Sequence, residues 1–495
     1  MATLRRYTVD PITRLEGHGK IEICLDDQGE VERAYLQVPE LRGFEAFVVG
    51  RPAEDMPQIT SRICGVCPMA HHMAATKALD DLYRVEAPAA AQKVRELAYA
   101  MFVLEDHALH VYALAGPDFI VGPLAPARAR NIVGVVEKLG QAVGKRVLGL
   151  RRQIREALSS LCGKVIHPAF GLPGGISRGV SPEQLPALKA LARASVDFAL
   201  FTLQVFEEMV ISDGDYLRVI ASDAYTQRTC YMGLVDGQGR LNFYDGRLRM
   251  VDPEGHELQT FAARDYLDHV AEHVEPWTYS KFTFYRPRGW QGFAEGEGTG
   301  IYAVAPLARL NVASAMATPR AQAAYEAYVK GMGGKPVHQT LANHWARVVE
   351  MIYAAERMDE LVNDPEITSQ DIRAIPQRVP RRGVGVVEAP RGTLIHDYET
   401  DAEGLVTKAN LIVATQNNAA RIAMSVNKAA KALIHRGRVS EGLLNMVEMA
   451  FRAYDPCHGC ATHALPGSVP MVLVVRDRRG QVLQELHNGP RSTRE

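Results

Sequence analysis

Four of the seven cysteines form two Cys-x-x-Cys pairs, Cys64/Cys67 and Cys457/Cys460, near opposite ends of a 495-residue chain. Two thiols three positions apart can face one metal ion, and the thiolate is the form that ligates. The first pair lies in Arg62-Ile63-Cys64-Gly65-Val66-Cys67-Pro68-Met69-Ala70-His71. Pro68 suits the first turn of a helix, so Cys67 should sit in the field of a helix N-terminus that favours its thiolate. The second pair lies in Asp455-Pro456-Cys457-His458-Gly459-Cys460-Ala461-Thr462-His463, where Cys457, Cys460 and His463 recur every third residue. Thiolate ligation suits soft or borderline metals such as iron and nickel, not magnesium or calcium. From spacing alone three readings stand: an iron–sulfur or other redox metal site, a structural zinc, or dithiols without a metal. Cys24, Cys162 and Cys230 have no metal partner by spacing and read as small core residues.

The elements that must position these thiols are mostly helical. Apolar residues recur at i, i+3, i+4 over Met69–Tyr83, Ala89–Ala115, Ala127–Leu161, Pro182–Ile211, Arg320–Met332, Val337–Leu361 and Asn418–Tyr454, with Pro456 ending the last helix at or before Tyr454. Alternation over Gly19–Leu25 and Val31–Val38, with Asp26-Asp27-Gln28-Gly29 between them, predicts a hairpin. Tyr231–Phe293 reads as irregular strands and turns. Gly383–Val387 and Leu405–Thr415 read as β, with a turn at Asp401–Gly404. The expected fold is α+β: a large helical bundle core with peripheral β-hairpins, in a single unit over residues 1–463.

Composition narrows the function. With 56 Lys+Arg against 57 Asp+Glu there is no basic excess of the kind a nucleic-acid binder shows, so no nucleic-acid partner is expected. No apolar run is long enough for a direct membrane span, and the first residues lack the apolar stretch of a secretory signal. An odd, sparse set of cysteines argues against a disulfide framework. Gly296–Gly300 and Gly331–Lys335 do not match a phosphate-binding loop and read as turns.

Taken together, the motifs resemble the large subunit of nickel–iron hydrogenases. They are Arg14-Leu15-Glu16-Gly17-His18, Arg42-Gly43-Phe44-Glu45, the first cysteine segment ending at His71, and Asp106-His107-Ala108-Leu109-His110. Ala389-Pro390-Arg391-Gly392 and the second cysteine segment ending at His463 complete the series. The related quinone-oxidoreductase subunit generally lacks the four cysteines, all of which are present here.

The resemblance implies that Cys64 and Cys457 are terminal nickel ligands and that Cys67 and Cys460 bridge nickel to an iron carrying one carbonyl and two cyanides. Val413, Ala414, Thr415 and Arg391 would enclose these small ligands, with Thr415 hydrogen-bonded to a cyanide and His71 close behind. Ala414 stands where many relatives have proline, a departure shared by soluble cytoplasmic members, and leaves a backbone N–H that could reach a cyanide. Hydrogen would be cleaved heterolytically, the proton passing to Cys457 and then to Glu16, whose pKa burial beside an anionic cluster should raise. Arg391, Asp118 and Asp455 would roof the open side. Glu45, the Leu411 carbonyl and His463 would hold magnesium, or sometimes iron. Without the resemblance, Glu16 reads as a surface carboxylate, His72 as structural, and His107 and His110 as packed histidines.

The resemblance also implies partners. The three remaining cysteines cannot hold a cluster chain, so no iron–sulfur cluster is expected here and a separate iron–sulfur small subunit is required. Further electron-transfer subunits of diaphorase, deazaflavin or heterodisulfide type would connect it to NAD(P), a deazaflavin, or a heterodisulfide/ferredoxin module. A maturation protease and nickel-insertion chaperones are implied too. That protease cuts after the position of His463, so 464–495, with strand-like Met471–Val475 and Val482–His487, would be a removable propeptide. The soluble cytoplasmic bidirectional group is the nearest resemblance. The alternatives are a hydrogen-sensing regulatory subunit, or a non-catalytic scaffold with a four-cysteine zinc site.

Overall fold

The structure, a computed structural model, describes residues 5–377, 381–462, 471–476 and 482–488. At its centre lies a bundle of long helices. Asn343–Asn363 packs on both Ala89–Leu109 and Leu185–Phe206, and Gln141–Cys162 lies against the latter two. Their buried faces merge into one apolar core that also takes in all four cysteines of the two pairs. Ala, Leu, Val and Met dominate these faces, side chains that approach closely and carry no polar atoms to satisfy.

The strands complete the expected α+β fold, and the expected N-terminal hairpin is present, although one sheet lies in the interior. The N-terminal sheet orders Arg5–Val9, Lys20–Leu25 and Val31–Gln37 as an antiparallel meander. A second meander, Arg382–Ala389, Gly392–Thr400 and Val406–Ile412, is interior, with its first strand packed on helix Pro68–Tyr83. Gly392–Thr400 is its central strand and is buried on both faces, so it carries no polar/apolar alternation to betray it in the sequence. A four-stranded sheet contains Tyr302–Ala303, Cys230–Val235, Arg247–Val251 and Glu257–Phe261, in that order.

Several boundaries move for local reasons. The helix expected over 127–161 breaks at Gly140 (φ +88°) into Ile132–Leu139 and Gln141–Cys162. The helix expected from Asn418 begins at Ala414, directly after strand Val406–Ile412, and ends at Leu433. The chain then turns through Arg436 and Gly437, both at positive φ, before Glu441–Arg452. The helix from Ala89 is α-helical only to Leu109 and continues as a π-helical turn over His110–Ala115. Extra-residue turns of this kind re-aim side chains and recur at functional sites.

The contact between helix Pro68–Tyr83 and strand Arg382–Ala389 has no room for side chains from the strand. A β-carbon at Gly385 would stand 2.1 Å from the Ala74 carbonyl oxygen, and one at Gly383 would stand 2.1 Å from that of Ala78. This close approach brings the Cys67 end of the helix to the strand that leads to Arg391. Gly385→Ala should push the two apart, lowering stability by about 1–3 kcal/mol. Thermal unfolding and nickel content after purification measure the two consequences, and both should fall.

Candidate metal centre

All four sulfurs lie within 4.8 Å of one another, buried and unbonded to each other as disulfides. Cys64 Sγ is 3.4 Å from Cys457 Sγ, and Cys67 Sγ is 3.5 Å from Cys460 Sγ. The first pair is held by a tight turn into helix Pro68–Tyr83, with Pro68 at its first position. The backbone N–H groups of Val66 and Cys67 both donate to Cys64 Sγ (3.2 and 3.1 Å). Local backbone donors therefore favour the Cys64 thiolate, not the Cys67 thiolate expected from the helix N-terminus. Hydrogen bonds from the neighbouring thiols hold Cys64 well below the usual thiol range, while burial pushes Cys457 and Cys460 up.

The second pair is tied to the N-terminal segment. Glu16 and Cys457 form an isolated parallel bridge, in which Glu16 N–H donates to the Pro456 carbonyl (3.4 Å) and His458 N–H to the Glu16 carbonyl (3.0 Å). That pairing brings Glu16 Oε2 to 2.9 Å from Cys457 Sγ and 3.1 Å from the Gly459 N–H. Gly459 has no room for a side chain, since a β-carbon there would meet Glu16 Oε1 at 2.8 Å. Burial, and then the charge of Cys64, raise the Glu16 pKa. Thr415, in the first turn of helix Ala414–Leu433, accepts the Cys457 N–H through its hydroxyl oxygen at 3.0 Å. Val413 caps that helix and Ala414 opens it, both buried beside the cluster's core.

Arg391 sits at the tip of the hairpin between Arg382–Ala389 and Gly392–Thr400. Its guanidinium donates to Asp106 (3.1 Å) and Asp455 (3.0 Å), and all three are buried. Asp455 adopts φ +54°, uncommon for a residue with a side chain, and so turns the chain from helix Glu441–Arg452 into Pro456-Cys457. Burial raises Asp106 to about 7 despite the arginine. Burial opposes the charge on Arg391, but both carboxylates and then the thiolates outweigh it and raise the guanidinium. Asp118 is not part of this roof. It binds Arg14 (2.6 Å), Arg452 (2.5 Å) and Asn445 (3.2 Å) in a separate buried net, because the π-helical segment Pro117–Val121 places it there. The carboxylate paired with Arg391 besides Asp455 is Asp106, a residue of the noted Asp106–His110 segment whose role the spacing did not reveal.

His71 Nδ1 lies 3.1 Å from His396 Nε2, and His396 Nδ1 lies 2.7 Å from the Tyr398 hydroxyl. His71 Nε2 is buried without a partner among the described residues, and burial holds this imidazole neutral with a pKa of about 4. His110 Nδ1 is 3.2 Å from Asp455, and His107 Nε2 is 2.9 Å from Glu350, so both histidines stand behind the site. Of the expected magnesium ligands, Glu45 is half-buried and pairs with Arg42 (3.1 Å), and Leu411 is buried opposite His396 in the sheet. His463 lies outside the described residues.

Four convergent buried thiols, with a neighbouring carboxylate, a guanidinium and, among the described residues, an unpartnered imidazole nitrogen, fit a soft or borderline metal held by thiolates. A family model described as nickel-dependent hydrogenase matches residues 42–138 and 278–463, and one described as HoxL-like matches 6–41. The chain belongs to the nickel-dependent hydrogenase family. It is the catalytic large subunit of a nickel–iron hydrogenase, an oxidoreductase. A relative in Archaeoglobus profundus, described as an F420-non-reducing hydrogenase iron-sulfur subunit, is 46% identical over 98% of this chain and 100% of its own. The NAD-reducing hydrogenase HoxS subunit beta of Cupriavidus necator is 36% identical over 97% and 99%. A crystal structure of an NAD+-reducing [NiFe]-hydrogenase in the H2-reduced state superposes with a TM-score of 0.87 at 38% identity, covering 93% of this hydrogenase chain and 99% of its own.

The two acidic positions separate cleanly by experiment. Asp106→Asn should lower turnover per nickel by about 10-fold or more, because it loosens the group facing the thiolates. Asp118→Asn should chiefly lower the unfolding temperature, because it leaves Arg14 and Arg452 under-compensated. Steady-state H2 oxidation normalised to nickel, beside thermal unfolding, distinguishes them.

Proposed function

We propose that this hydrogenase subunit cleaves H2 reversibly and heterolytically, and that Cys64, Cys67, Cys457 and Cys460 would hold its nickel–iron centre, Cys64 and Cys457 as ligands to nickel alone and Cys67 and Cys460 as ligands shared with iron. The observation that carries the reading is the 2.9 Å contact between Cys457 Sγ and Glu16 Oε2 inside the four-sulfur cluster. When bound, the centre supplies Lewis acidity and two-electron redox capacity. The chain's own residues handle the proton. Cys457 Sγ takes it and passes it to Glu16, whose raised pKa lets the carboxyl hold a proton within hydrogen-bond reach of the sulfur. The Gly459 N–H fixes the carboxyl, and the Thr415 hydroxyl fixes the Cys457 backbone. Arg391 offsets the negative charge of the thiolates, and the apolar surroundings exclude water. Val413, Ala414 and Thr415 would enclose the small carbonyl and cyanide ligands of the iron.

The same reading extends outward. Glu45, the Leu411 carbonyl and His463 would hold magnesium. Cys24, Cys162 and Cys230 stand on three different elements, so electrons would leave through a separate iron–sulfur small subunit. The similarity to both F420-non-reducing and NAD-reducing enzymes supports a soluble carrier, reached through a heterodisulfide-type or diaphorase module in the cytoplasm. The greater identity to the F420-non-reducing relative weighs against a deazaflavin carrier. Residues 464–495 would be a propeptide removed by a maturation protease after nickel insertion by chaperones.

An infrared spectrum of the purified complex, with the intact mass of this chain, tests the reading. Carbonyl and cyanide stretches on a chain ending at His463 are expected. Their absence from a processed, metal-loaded chain would bring back the zinc scaffold. Glu16→Gln should retain the metals and lose H2/D+ exchange by about 10²–10⁴-fold, the range of a positioned acid–base group. Unchanged exchange would remove Glu16 from the relay.

A further inference from the structure

Behind the hairpin tip that carries Arg391 lies a set of charged side chains with no exposure at all. Arg309, on the short helix Pro306–Val312, makes a forked pair with Glu350, Nε to Oε1 and Nη2 to Oε2, both at 2.6 Å. Its Nη1 also reaches Glu388 Oε2 at 3.1 Å. The same guanidinium donates to two consecutive carbonyls of the tip, Ala389 (2.8 Å) and Pro390 (3.1 Å). Tyr99 OH donates to the preceding carbonyl, Glu388 (2.9 Å), and Asn418 Nδ2 to the following one, Arg391 (2.8 Å). Four successive carbonyls are thus each held by a buried side chain, and Arg309 supplies two of the four bonds.

The arrangement closes on itself. Glu350, which Arg309 grips, also lies 2.9 Å from His107 Nε2. His107 adjoins Asp106, and Asp106 accepts from the Arg391 guanidinium at 3.1 Å. The backbone under Arg391 and the helical turn bearing its carboxylate partner are therefore anchored to the same ion pair. Stability alone gives little reason to build a hairpin tip this way. Burying an arginine and two glutamates costs free energy that apolar packing would not, and the return is a fixed geometry.

We propose that Arg309 is a positioning residue for the reaction: gripping the Ala389 and Pro390 carbonyls while paired with Glu350, it sets where the Arg391 guanidinium stands over the thiolates. The inference rests on the role assigned to Arg391 above. Lysine in place of Arg309 keeps the charge but presents a single point, so it cannot satisfy the Glu350 fork and both carbonyls together.

The test is a double-mutant cycle on the metal-loaded complex, with R309K made in the parent and in an R391K background and rates expressed per nickel. R309K alone should lower kcat for H2 oxidation by about 10-fold or more, with the KM for H2 changed less than about 2-fold, since misplacement by an ångström is enough for such a loss. It should also shift the carbonyl and cyanide stretching frequencies. In the R391K background R309K should cost less than about 2-fold further, because the group it positions is already gone. Equal losses in both backgrounds, or unchanged turnover and stretches in R309K, would overturn the proposal. If R309K yields no nickel-loaded chain, Glu350→Gln is read in the same cycle with the same expectations. Absence of carbonyl and cyanide bands from the parent enzyme would instead defeat the reading of the metal centre, so the two failures are distinguishable.

Discussion

Four thiols buried together lose their hydration, and each one that ionises repels the others, so the rest of this site follows from compensating negative sulfur. Two backbone N–H groups point at Cys64, the Glu16 carboxyl meets Cys457, and the Arg391 guanidinium supplies a full positive charge. The compensating guanidinium is buried in turn and must be paired. Arg391 takes Asp106 and Asp455, Asp455 lies against His110, and His107 beside Asp106 takes Glu350 with Arg309. The chain of buried charges ends only where the helical core supplies enough fixed partners. This is the physical reason why a mostly Ala, Leu and Val interior holds Arg391 and Arg309 with almost no exposure.

The two thiol pairs are brought together by backbone as well as by side chains. Glu16 pairs with Cys457 through an isolated β-bridge, so an N-terminal segment is a structural part of the C-terminal arm. Thr415 ties the same arm to helix Ala414–Leu433. The other half of the site rests on glycines: strand Arg382–Ala389 can lie on helix Pro68–Tyr83 only where Gly383 and Gly385 have no side chains. Cys67 begins that helix and Arg391 follows that strand, so one close contact relates a ligand to the cation above it.

Much of this was legible in the residues. Helical periodicity marked the bundle because each helix buries one face. It missed the break at Gly140 and the strand Gly392–Thr400, since a turn glycine can hide in an amphipathic pattern and a strand buried on both faces has no alternation. The roof over the site was partly misassigned. Asp118 and Asp106 are both acidic residues near the end of one long helical stretch, and only the π-helical turns after Leu109 decide which faces Arg391. Arg309 lies in the unremarkable run Pro306–Val312, with nothing in its neighbours to mark it as the clamp on a distant hairpin.

By itself the sequence determined the chemistry available: two pairs of thiols at ligand spacing, an acid close to one of them, and a cation after Ala389-Pro390. Residue type and local spacing are written along the chain, and they limit the metals and the proton chemistry that can follow. Only the tertiary structure decided which sulfurs adjoin, that Glu16 meets Cys457 and not another thiol, and that Asp106 pairs with Arg391. Those choices depend on contacts between residues hundreds of positions apart, made when helices pack at close range and every buried charge must find a partner.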